Sequence, residues 1–251
     1  MEPTHIDLFS GIGGFALAAK WVGFETKVFC EIDPFCQMVL KKHWPNVPIV
    51  EDIKKFDGKE WTGATLITGG FPCQDISIAN ANPKGLRGKR SGLWKEFFRV
   101  ISLVRPHFVI VENVSAFTIR GLLDVLGDIA SIGYDAEWET IPASIFGFPH
   151  QRKRIFIIAY SENYRHKNSI NAESPIFLKW NRFNQEIPIK GSSFGDKESV
   201  YEKIRSTEFV RVANGIPNRV DRIKGLGNAI VPQVAYEIIK AIKEAENGRS
   251  S

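Results

Sequence analysis

The sequence predicts an α/β protein in which a mostly parallel, doubly wound sheet carries helices on both faces and a small irregular domain follows it. Short apolar runs typical of buried strands alternate with helical patterns from the start of the chain, and repeated strand–helix units build sheets of this kind. After residue 160 the periodicity is lost, and the chain becomes rich in Asn, Ser, Lys and Gly. Isolated aromatic residues persist there, which favours a small folded domain over disorder.

Seven segments have the short apolar or alternating pattern of strands. Two glycines end the fourth segment, and Glu112 and Asn113 follow the fifth. The sixth alternates apolar and acidic residues, as a half-exposed strand does. The predicted strands are residues 5–9, 26–30, 49–50, 64–68, 107–111, 134–140 and 154–159.

Five segments predict helices. Pro34 suits a first helical position, and the apolar residues of the segment 93–104 recur at helical spacing, which predicts a helix facing the core. The last helix has one apolar stripe from Val231 to Ile242, and we expect it to return to the sheet because such a stripe must be buried. The predicted helices are residues 15–22, 34–43, 93–104, 118–132 and 231–242.

Length and composition limit the class of protein. The 251 residues, 43% of them hydrophobic, allow one large domain, or one large and one small domain. We predict the second arrangement, with segments 1–160, 161–224 and 225–251. No apolar run reaches the ~20 residues of a membrane span, and the N-terminus does not have the pattern of a signal peptide. We therefore expect a cytoplasmic protein without membrane contacts. The three cysteines lack zinc-ligand spacing, which predicts neither disulfides nor a metal site.

The distribution of positive charge, more than its total, indicates a polyanionic partner. The formal net charge of +5 is a weak signal by itself. Basic residues nevertheless cluster at 84–90, 152–154 and 219–224. The first cluster lies in a glycine-rich loop, which is able to close over a bound substrate and exclude water. A solvated surface is the alternative for each cluster, and we favour it for the third taken alone.

Cys73 follows the fourth predicted strand in the run Gly-Gly-Phe-Pro-Cys-Gln at residues 69–74. The glycines end the strand, and the proline stiffens its exit. Because α/β sheets bind ligands at the C-terminal ends of their strands, this position suits a nucleophile. A buried, inert thiol is the alternative, since that is the usual environment of a free cysteine. This segment alone does not favour either interpretation.

The first strand leads into the glycine-rich turn Phe-Ser-Gly-Ile-Gly-Gly at residues 9–14. Glycines let a ligand approach the backbone, but the spacing differs from the dinucleotide fingerprint. Glu31 ends the second strand, where doubly wound folds place a carboxylate for ribose hydroxyls. Asp52, after the third strand, is able to bond a base or an amine. Together the turn, Glu31 and Asp52 predict a pocket for a nucleoside-type cofactor. The alternative for Glu31 is an ordinary acidic residue near a helix N-terminus.

Glu112 and Cys73 each lie at the end of a central predicted strand, next to that pocket. A thiolate and a carboxylic acid side by side suggest covalent catalysis assisted by proton transfer. Arg152 and Arg154 begin the last strand, where residues two apart point the same way. Both arginines are therefore able to fix a carboxylate or a phosphate. Salt bridges to surface acids are the alternative.

Five motifs resemble, in the same order, those of the C5-cytosine-specific DNA methyltransferase family in its bacterial and phage form. They are Asp-Leu-Phe-Ser-Gly-Ile-Gly-Gly at 7–14, Gly-Phe-Pro-Cys-Gln at 70–74, Glu-Asn-Val at 112–114, Gln-Arg-Lys-Arg at 151–154 and Gly-Asn-Ala-Ile-Val-Pro at 227–232. The resemblance covers nearly all of residues 5–160 and 211–240. It implies the Rossmann-like fold of S-adenosylmethionine-dependent methyltransferases, with catalysis and cofactor binding in 1–160 and target recognition in 161–224.

The resemblance also implies a cofactor site for S-adenosyl-L-methionine. Phe9 would lie against the adenine, Glu31 on the ribose and Asp52 near the adenine amine. Asn228 would close the pocket from the C-terminal segment. The implied set of cofactor-binding residues is Phe9, Gly11, Ile12, Gly14, Glu31, Ile32, Asp52, Ile53, Pro72 and Asn228.

The implied reaction takes place on a cytosine flipped out of duplex DNA, because its ring carbons cannot be approached inside the stack. Cys73 would attack C6, Glu112 would bond the ring N3, and C5 would then accept the methyl group. Arg152 and Arg154 would orient the base, support the carboxylate and favour the thiolate. Thr65 departs from the family pattern, where an aspartate is common, and this puts the positioning of the cofactor side in question.

The implied partner is double-stranded DNA, and we expect a monomer encoded by a bacterium or a phage. A separate cognate restriction endonuclease is a candidate companion. Two other functions stay open from the sequence: an RNA (tRNA) cytosine-C5 methyltransferase on the same scaffold, and a DNA-binding relative that has lost catalysis. The loss of catalysis is disfavoured because the chain retains Cys73, Glu112, Arg152 and Arg154.

Overall fold

Seven strands form one sheet in the computed structural model, which describes residues 2–72, 92–146, 152–161 and 229–247. Their order is β3-β2-β1-β4-β5-β7-β6. The strands are β1 (Thr4–Leu8), β2 (Glu25–Cys30), β3 (Ile49–Val50), β4 (Leu66–Gly69), β5 (Phe108–Val114), β6 (Tyr134–Pro142) and β7 (Lys153–Ser161). All seven predicted strands are present, with bounds shifted by a few residues at most.

The sheet is parallel except at one strand. The pairs from β3 to β5 are parallel, whereas β7 runs antiparallel to both β5 and β6. The predicted α/β fold with a mostly parallel sheet is therefore confirmed. The chain moves outward from β1 to β3 and then returns to β4, so the switch point lies between β1 and β4. Open α/β sheets bind ligands at such a point, beyond the carboxyl ends of the strands.

Helices cover both faces of the sheet. They are α1 (Gly14–Val22), α2 (Pro34–His43), α3 (Gly92–Val104), α4 (Phe117–Arg120), α5 (Leu122–Ser131) and α6 (Pro232–Asn247). The residues 118–132, predicted as one helix, divide into α4 and α5 at Gly121. A Cβ at Gly121 would lie 2.6 Å from the ring of Phe117, so the glycine makes room for this fully buried side chain.

The two faces of the sheet bury different residues because side chains alternate along each strand. Ile6 and Leu8 of β1 face the core that contains α3 and α5. Leu66 of β4 and Phe108 of β5 face the core formed with α1 and α6. α6 packs directly against α1, and the Lys243 ammonium donates a hydrogen bond to the carbonyl of Val22 at the end of α1.

Most of the predicted second domain lies outside the described residues, as do Cys73, Asn228 and the basic clusters at 84–90 and 219–224. Within the described ranges, no helix combines the length and the apolar character needed to cross a membrane.

Candidate active site

The glycine-rich turn at the end of β1 has an unusual backbone. Phe9, Gly11 and Gly13 all have positive φ angles, of 53°, 54° and 86°. A positive φ is uncommon outside glycine, and at Phe9 it turns the ring onto Phe97 of α3, with ring centroids 5.9 Å apart. Ser10 holds the turn, because its hydroxyl donates to the Asp7 carbonyl over 2.6 Å. The turn therefore presents backbone rather than side chains at the switch point.

Glu31 connects the glycine-rich turn to the start of α2. Its Oε2 accepts from the Gly11 amide and its Oε1 from the Asp33 amide, each over 2.7 Å. Burial raises the pKa of Glu31, and these two amide bonds act in the opposite direction. The N-cap of α2 is Asp33, whose Oδ1 accepts from the amides of Phe35 and Cys36. Asp33 therefore fills the helix-capping role that was the alternative interpretation of Glu31.

Open space lies beside these anchored residues. A Cβ added at Gly11 would meet no atom of the described residues within 4 Å. Ile32, between Glu31 and Asp33, has 73% of its surface exposed. An exposed apolar side chain next to a buried carboxylate and a bare backbone suits a ligand with a flat apolar part and hydroxyl groups.

The C-terminal segment closes one side of the glycine-rich turn. A Cβ at Gly14 would lie 2.5 Å from Ile230 Cγ2 and 3.1 Å from the Ile230 carbonyl oxygen. Ile12 is half-buried in the same turn. The absence of a side chain at Gly14 therefore lets the backbone after Asn228 pack against the start of α1.

Asp52 and Ile53 form a short 3₁₀ turn after β3. The Asp52 Oδ1 caps it by accepting from the Lys54 amide over 3.0 Å. The Ile53 side chain is buried in the core, so only its backbone is available to a ligand. Arg99 of α3 donates to the carbonyls of Ile53 and Phe56. Sequence reasoning missed this contact, because the helical pattern places Arg99 on α3 and does not show what its side chain reaches.

Glu112 and Arg154 form an ion pair between neighbouring strands. Arg154 Nε lies 2.9 Å from Glu112 Oε1, and the Glu112 side chain is only 13% exposed. The register places Arg154 opposite Val114, two residues beyond Glu112 on β5, so both side chains share one face of the sheet. Burial raises the pKa of Glu112, and the positive charges of Arg154 and then Arg152 lower it.

The Glu112 carboxyl lies against the segment that leads to Cys73. A Cβ at Gly70 would be 2.7 Å from Glu112 Oε2, so glycine is required there for the carboxyl to keep its position. Asn113 donates through Nδ2 to the Phe71 carbonyl over 3.3 Å. Phe71 is buried between Trp94 and Phe117. The backbone up to the exposed Pro72 is thus fixed from both β5 and α3.

Arg152 makes a different contact from Arg154. Its Nη2 donates to the Ala229 carbonyl over 2.8 Å, next to Asn228 in the chain. Its charge also acts on Glu112. Arg154 thus contacts the Glu112 carboxylate directly, whereas Arg152 acts on it through its charge. Arg152 also anchors the C-terminal segment.

Thr65 lies at the opposite end of the sheet from these loops. Its Oγ1 accepts from the Thr4 amide, and its own amide donates to Thr4 Oγ1, both over 3.1 Å. Thr4 is the first residue of β1, whereas the glycine-rich turn follows the last. Thr65 therefore lies at the amino end of the strands, away from the turn at residues 9–14.

The fold and these residues define a class: an α/β protein with a glycine-rich turn at the switch point of its sheet and a buried acid on a neighbouring strand. The family model for C-5 cytosine-specific DNA methylase matches residues 4–208. The chain belongs to this family, and the resemblance based on the five motifs is confirmed.

Curated relatives are type II methyltransferases. The chain is 36% identical over 163 residues to M2.BsuMI of Bacillus subtilis (strain 168), a match that covers 61% of this chain and 41% of that protein. It is 32% identical over 191 residues to M.CviJI of Paramecium bursaria Chlorella virus IL3A, covering 75% and 51%. The chain thus spans about half the length of these curated relatives.

Solved structures share the fold. A prophage-encoded protein of E. coli, described as a DNA modification methyltransferase, matches with a TM-score of 0.55 and 27% identity, over 68% of this chain and 49% of that one. DNMT2 of Spodoptera frugiperda matches with a TM-score of 0.54 and 21% identity, over 64% and 50%, and at this identity it supports the fold alone. The predicted Rossmann-like methyltransferase fold is confirmed.

Proposed function

We propose that the chain is a DNA (cytosine-5-)-methyltransferase that uses S-adenosylmethionine and acts on a flipped cytosine in duplex DNA. The observation that carries the proposal is the placement of Glu112. Its buried carboxyl is paired with Arg154 and lies against Gly70, three residues before Cys73. This is the position in which an acid can serve a base that the Cys73 thiol attacks.

The residues around the switch point fit the proposed cofactor. Open space at Gly11 allows close approach to the backbone, and Glu31 brings a carboxylate of the kind that bonds ribose hydroxyls. The exposed Ile32 offers an apolar surface to the adenine, and the turn at Asp52 offers a carboxylate to its amine. When bound, the cofactor supplies an activated methyl group. We assign the remaining contacts to Phe9, Ile12, Gly14, Ile53, Pro72 and Asn228.

In the proposed reaction the Cys73 thiolate adds to C6 of the flipped cytosine and forms a carbon–sulfur bond. The electron pair displaced from the C5–C6 double bond is delocalised onto N3. The proton that Glu112 holds at N3 offsets the negative charge that develops there. A raised pKa keeps a proton on Glu112 more readily than on an exposed carboxyl. C5 thereby becomes nucleophilic. C5 takes the methyl group as its bond to the cofactor sulfur breaks. The C5 proton then passes to water and Glu112 recovers the N3 proton, so that the double bond re-forms and the Cys73 thiolate leaves.

The arginines have separate proposed tasks. Arg154 fixes the orientation of the Glu112 carboxyl through the 2.9 Å ion pair. Arg152 adds positive charge, which favours the thiolate, and holds the segment that begins next to Asn228. Because the named relatives are type II methyltransferases, a restriction endonuclease acting on the same site is the companion that we propose.

The test is methyl transfer from tritiated S-adenosylmethionine by the full chain. We expect tritium in unmethylated duplex genomic DNA, recovered as 5-methylcytosine, and none in tRNA. Sequencing of the methylated positions would then identify the recognition site. Transfer to tRNA alone would establish an RNA substrate instead. DNA binding without transfer to either substrate would identify an inactive relative.

A further inference from the structure

The side chain of Arg99 holds the turn that carries Asp52. Its Nη2 donates to the Ile53 carbonyl over 2.8 Å, and its Nη1 donates to the Phe56 carbonyl over 3.1 Å. Its Nε pairs with Glu96 Oε2 over 2.7 Å. Every nitrogen of the guanidinium is therefore engaged, and its planar fork fixes two backbone positions at once.

The turn held by Arg99 has little stability of its own. It is a single 3₁₀ helix of three residues, Ile53–Lys55, and so short a helix is marginal without outside contacts. Its backbone bonds run from the Lys55 amide to the Asp52 carbonyl and from the Phe56 amide to the Ile53 carbonyl. Arg99 binds at the carboxyl end of this turn, where a positive charge meets the terminal carbonyls.

The position of Asp52 depends on the same turn. The Asp52 carboxylate caps the turn through the Lys54 amide, over 3.0 Å. A shift of the Ile53 carbonyl therefore moves the backbone that sets the direction of this carboxylate. Arg99 itself is two turns along α3 from the residues that follow Cys73, and it touches neither the turn at residues 9–14 nor Glu112 among the contacts described above.

We propose that Arg99 is a positioning residue that sets the affinity for S-adenosylmethionine by holding the turn at Asp52, without a part in methyl transfer itself. The inference rests on the proposed function, because it assigns Asp52 to the adenine side of the cofactor. It predicts that the loss of Arg99 weakens cofactor binding and leaves turnover at saturating cofactor nearly unchanged.

The experiment compares Arg99→Gln with the unsubstituted full chain by calorimetric titration with S-adenosylmethionine and by steady-state methyl transfer. We expect Kd and KM for the cofactor to rise about tenfold, as the loss of charged hydrogen bonds implies, while kcat changes by less than about twofold. Amide exchange at Lys55 and Phe56 should become faster, although the melting temperature stays close to that of the unsubstituted chain.

Three further variants separate positioning from general stability. Arg99→Lys should recover part of the affinity, because lysine donates to a carbonyl but lacks the fork. Glu96→Gln should have a small effect, since both carbonyl contacts of Arg99 remain. Lys95→Gln, at an exposed position on the same helix, should have none.

Three results would decide against the inference. Unchanged Kd in Arg99→Gln would overturn it, as would a fall in kcat with Kd unchanged. If Arg99→Gln does not fold, the same comparison in Arg99→Lys decides, and full affinity there with accelerated exchange at Phe56 would also overturn it. Failure of the unsubstituted chain to bind S-adenosylmethionine would instead contradict the proposed function, on which the inference rests.

Discussion

The two sides of the switch point are built in different ways. On the β1–β2 side, the glycine-rich turn is shaped by backbone angles, and Glu31 uses both carboxylate oxygens to hold backbone amides. On the β5–β7 side, the site depends on opposite charges, with Glu112 held by Arg154. The first side is therefore sensitive to added volume, and the second to a change in charge or proton affinity.

Within the comparison of the two sides, the largest expected effect is the loss of the acid on the charged side. Glu112→Gln keeps the shape of the side chain but removes the proton that the reaction requires at N3. We expect methyl transfer to fall about 10²- to 10⁴-fold, with cofactor affinity unchanged. Steady-state transfer and calorimetric titration measure the two quantities. Glu139→Gln, at an exposed position on β6, is the control; an active Glu112→Gln would remove the acid from the mechanism.

A pair of glycine substitutions should separate the two sides. Gly14→Ala places a methyl group 2.5 Å from Ile230 Cγ2 and 3.1 Å from a backbone oxygen. Because the backbone at Ile230 cannot easily move away, we expect a loss of about 1–3 kcal/mol in the free energy of unfolding. We also expect weaker cofactor binding. Gly70→Ala would clash at 2.7 Å with Glu112 Oε2, the end of a side chain, whereas the Glu112 carbonyl oxygen at 3.5 Å is at ordinary contact distance. The carboxyl can move aside, so we expect lower kcat with little loss of stability.

One result of this comparison would contradict the separation of the two sides. Equal losses of cofactor affinity in Gly14→Ala and Gly70→Ala would mean that the two sides are not separable. Thermal unfolding, calorimetric titration and kcat of both variants, measured side by side, provide the comparison.

The smallest effect on activity is expected in the scaffold between the two sides, where a change alters the pH dependence of stability instead. His5 of β1 is fully buried between the hydroxyls of Thr26 and Thr68, at 3.0 and 2.8 Å, and burial lowers its pKa from 6.5 to about 3. The unfolded chain therefore binds a proton at a higher pH than the native chain does. As pH falls from 6.5 toward 3, His5 should lower the free energy of unfolding by up to about 1.4 kcal/mol per pH unit.

Urea unfolding at several pH values measures this slope. His5→Gln should flatten the slope relative to the unsubstituted chain over this window. His43→Gln, at an exposed position on α2, should retain it. An identical slope in the unsubstituted chain and His5→Gln would show that His5 does not remain neutral in the native state.

Sequence patterns predicted the elements well where periodicity was strong, but they carry no information on direction or tertiary contact. The apolar run at 154–159 predicted β7, yet nothing in it indicated that β7 would run antiparallel to β5. Residues 118–132 had a helical pattern throughout, and the break at Gly121 depends on where Phe117 is buried. The effect of Thr65 stayed open because a motif does not show which end of the strand a residue occupies, and the structure places Thr65 beside Thr4 at the amino end.

Within the site, residues at strand ends were predictable and residues acting across elements were not. Glu31 directly follows β2, and Glu112 lies two residues before the end of β5, so both lie toward the carboxyl edge of the sheet, where α/β folds bind ligands. Arg99 contacts residues more than forty positions away, so its proposed role depends on how α3 packs against the turn Ile53–Lys55. Arg152 likewise contacts Ala229 across 77 residues, and only the fold brings them together.

The most direct test of the account is covalent trapping on duplex DNA that contains 5-fluorocytosine in the methylated site, in the presence of S-adenosylmethionine. Fluorine cannot leave C5 as a proton does, so the enzyme should remain bonded to the base through Cys73. We predict a covalent complex with the unsubstituted chain and none with Cys73→Ala, which should also transfer no methyl groups. Methyl transfer at the normal rate by Cys73→Ala, or by an active enzyme that forms no complex, would contradict the account.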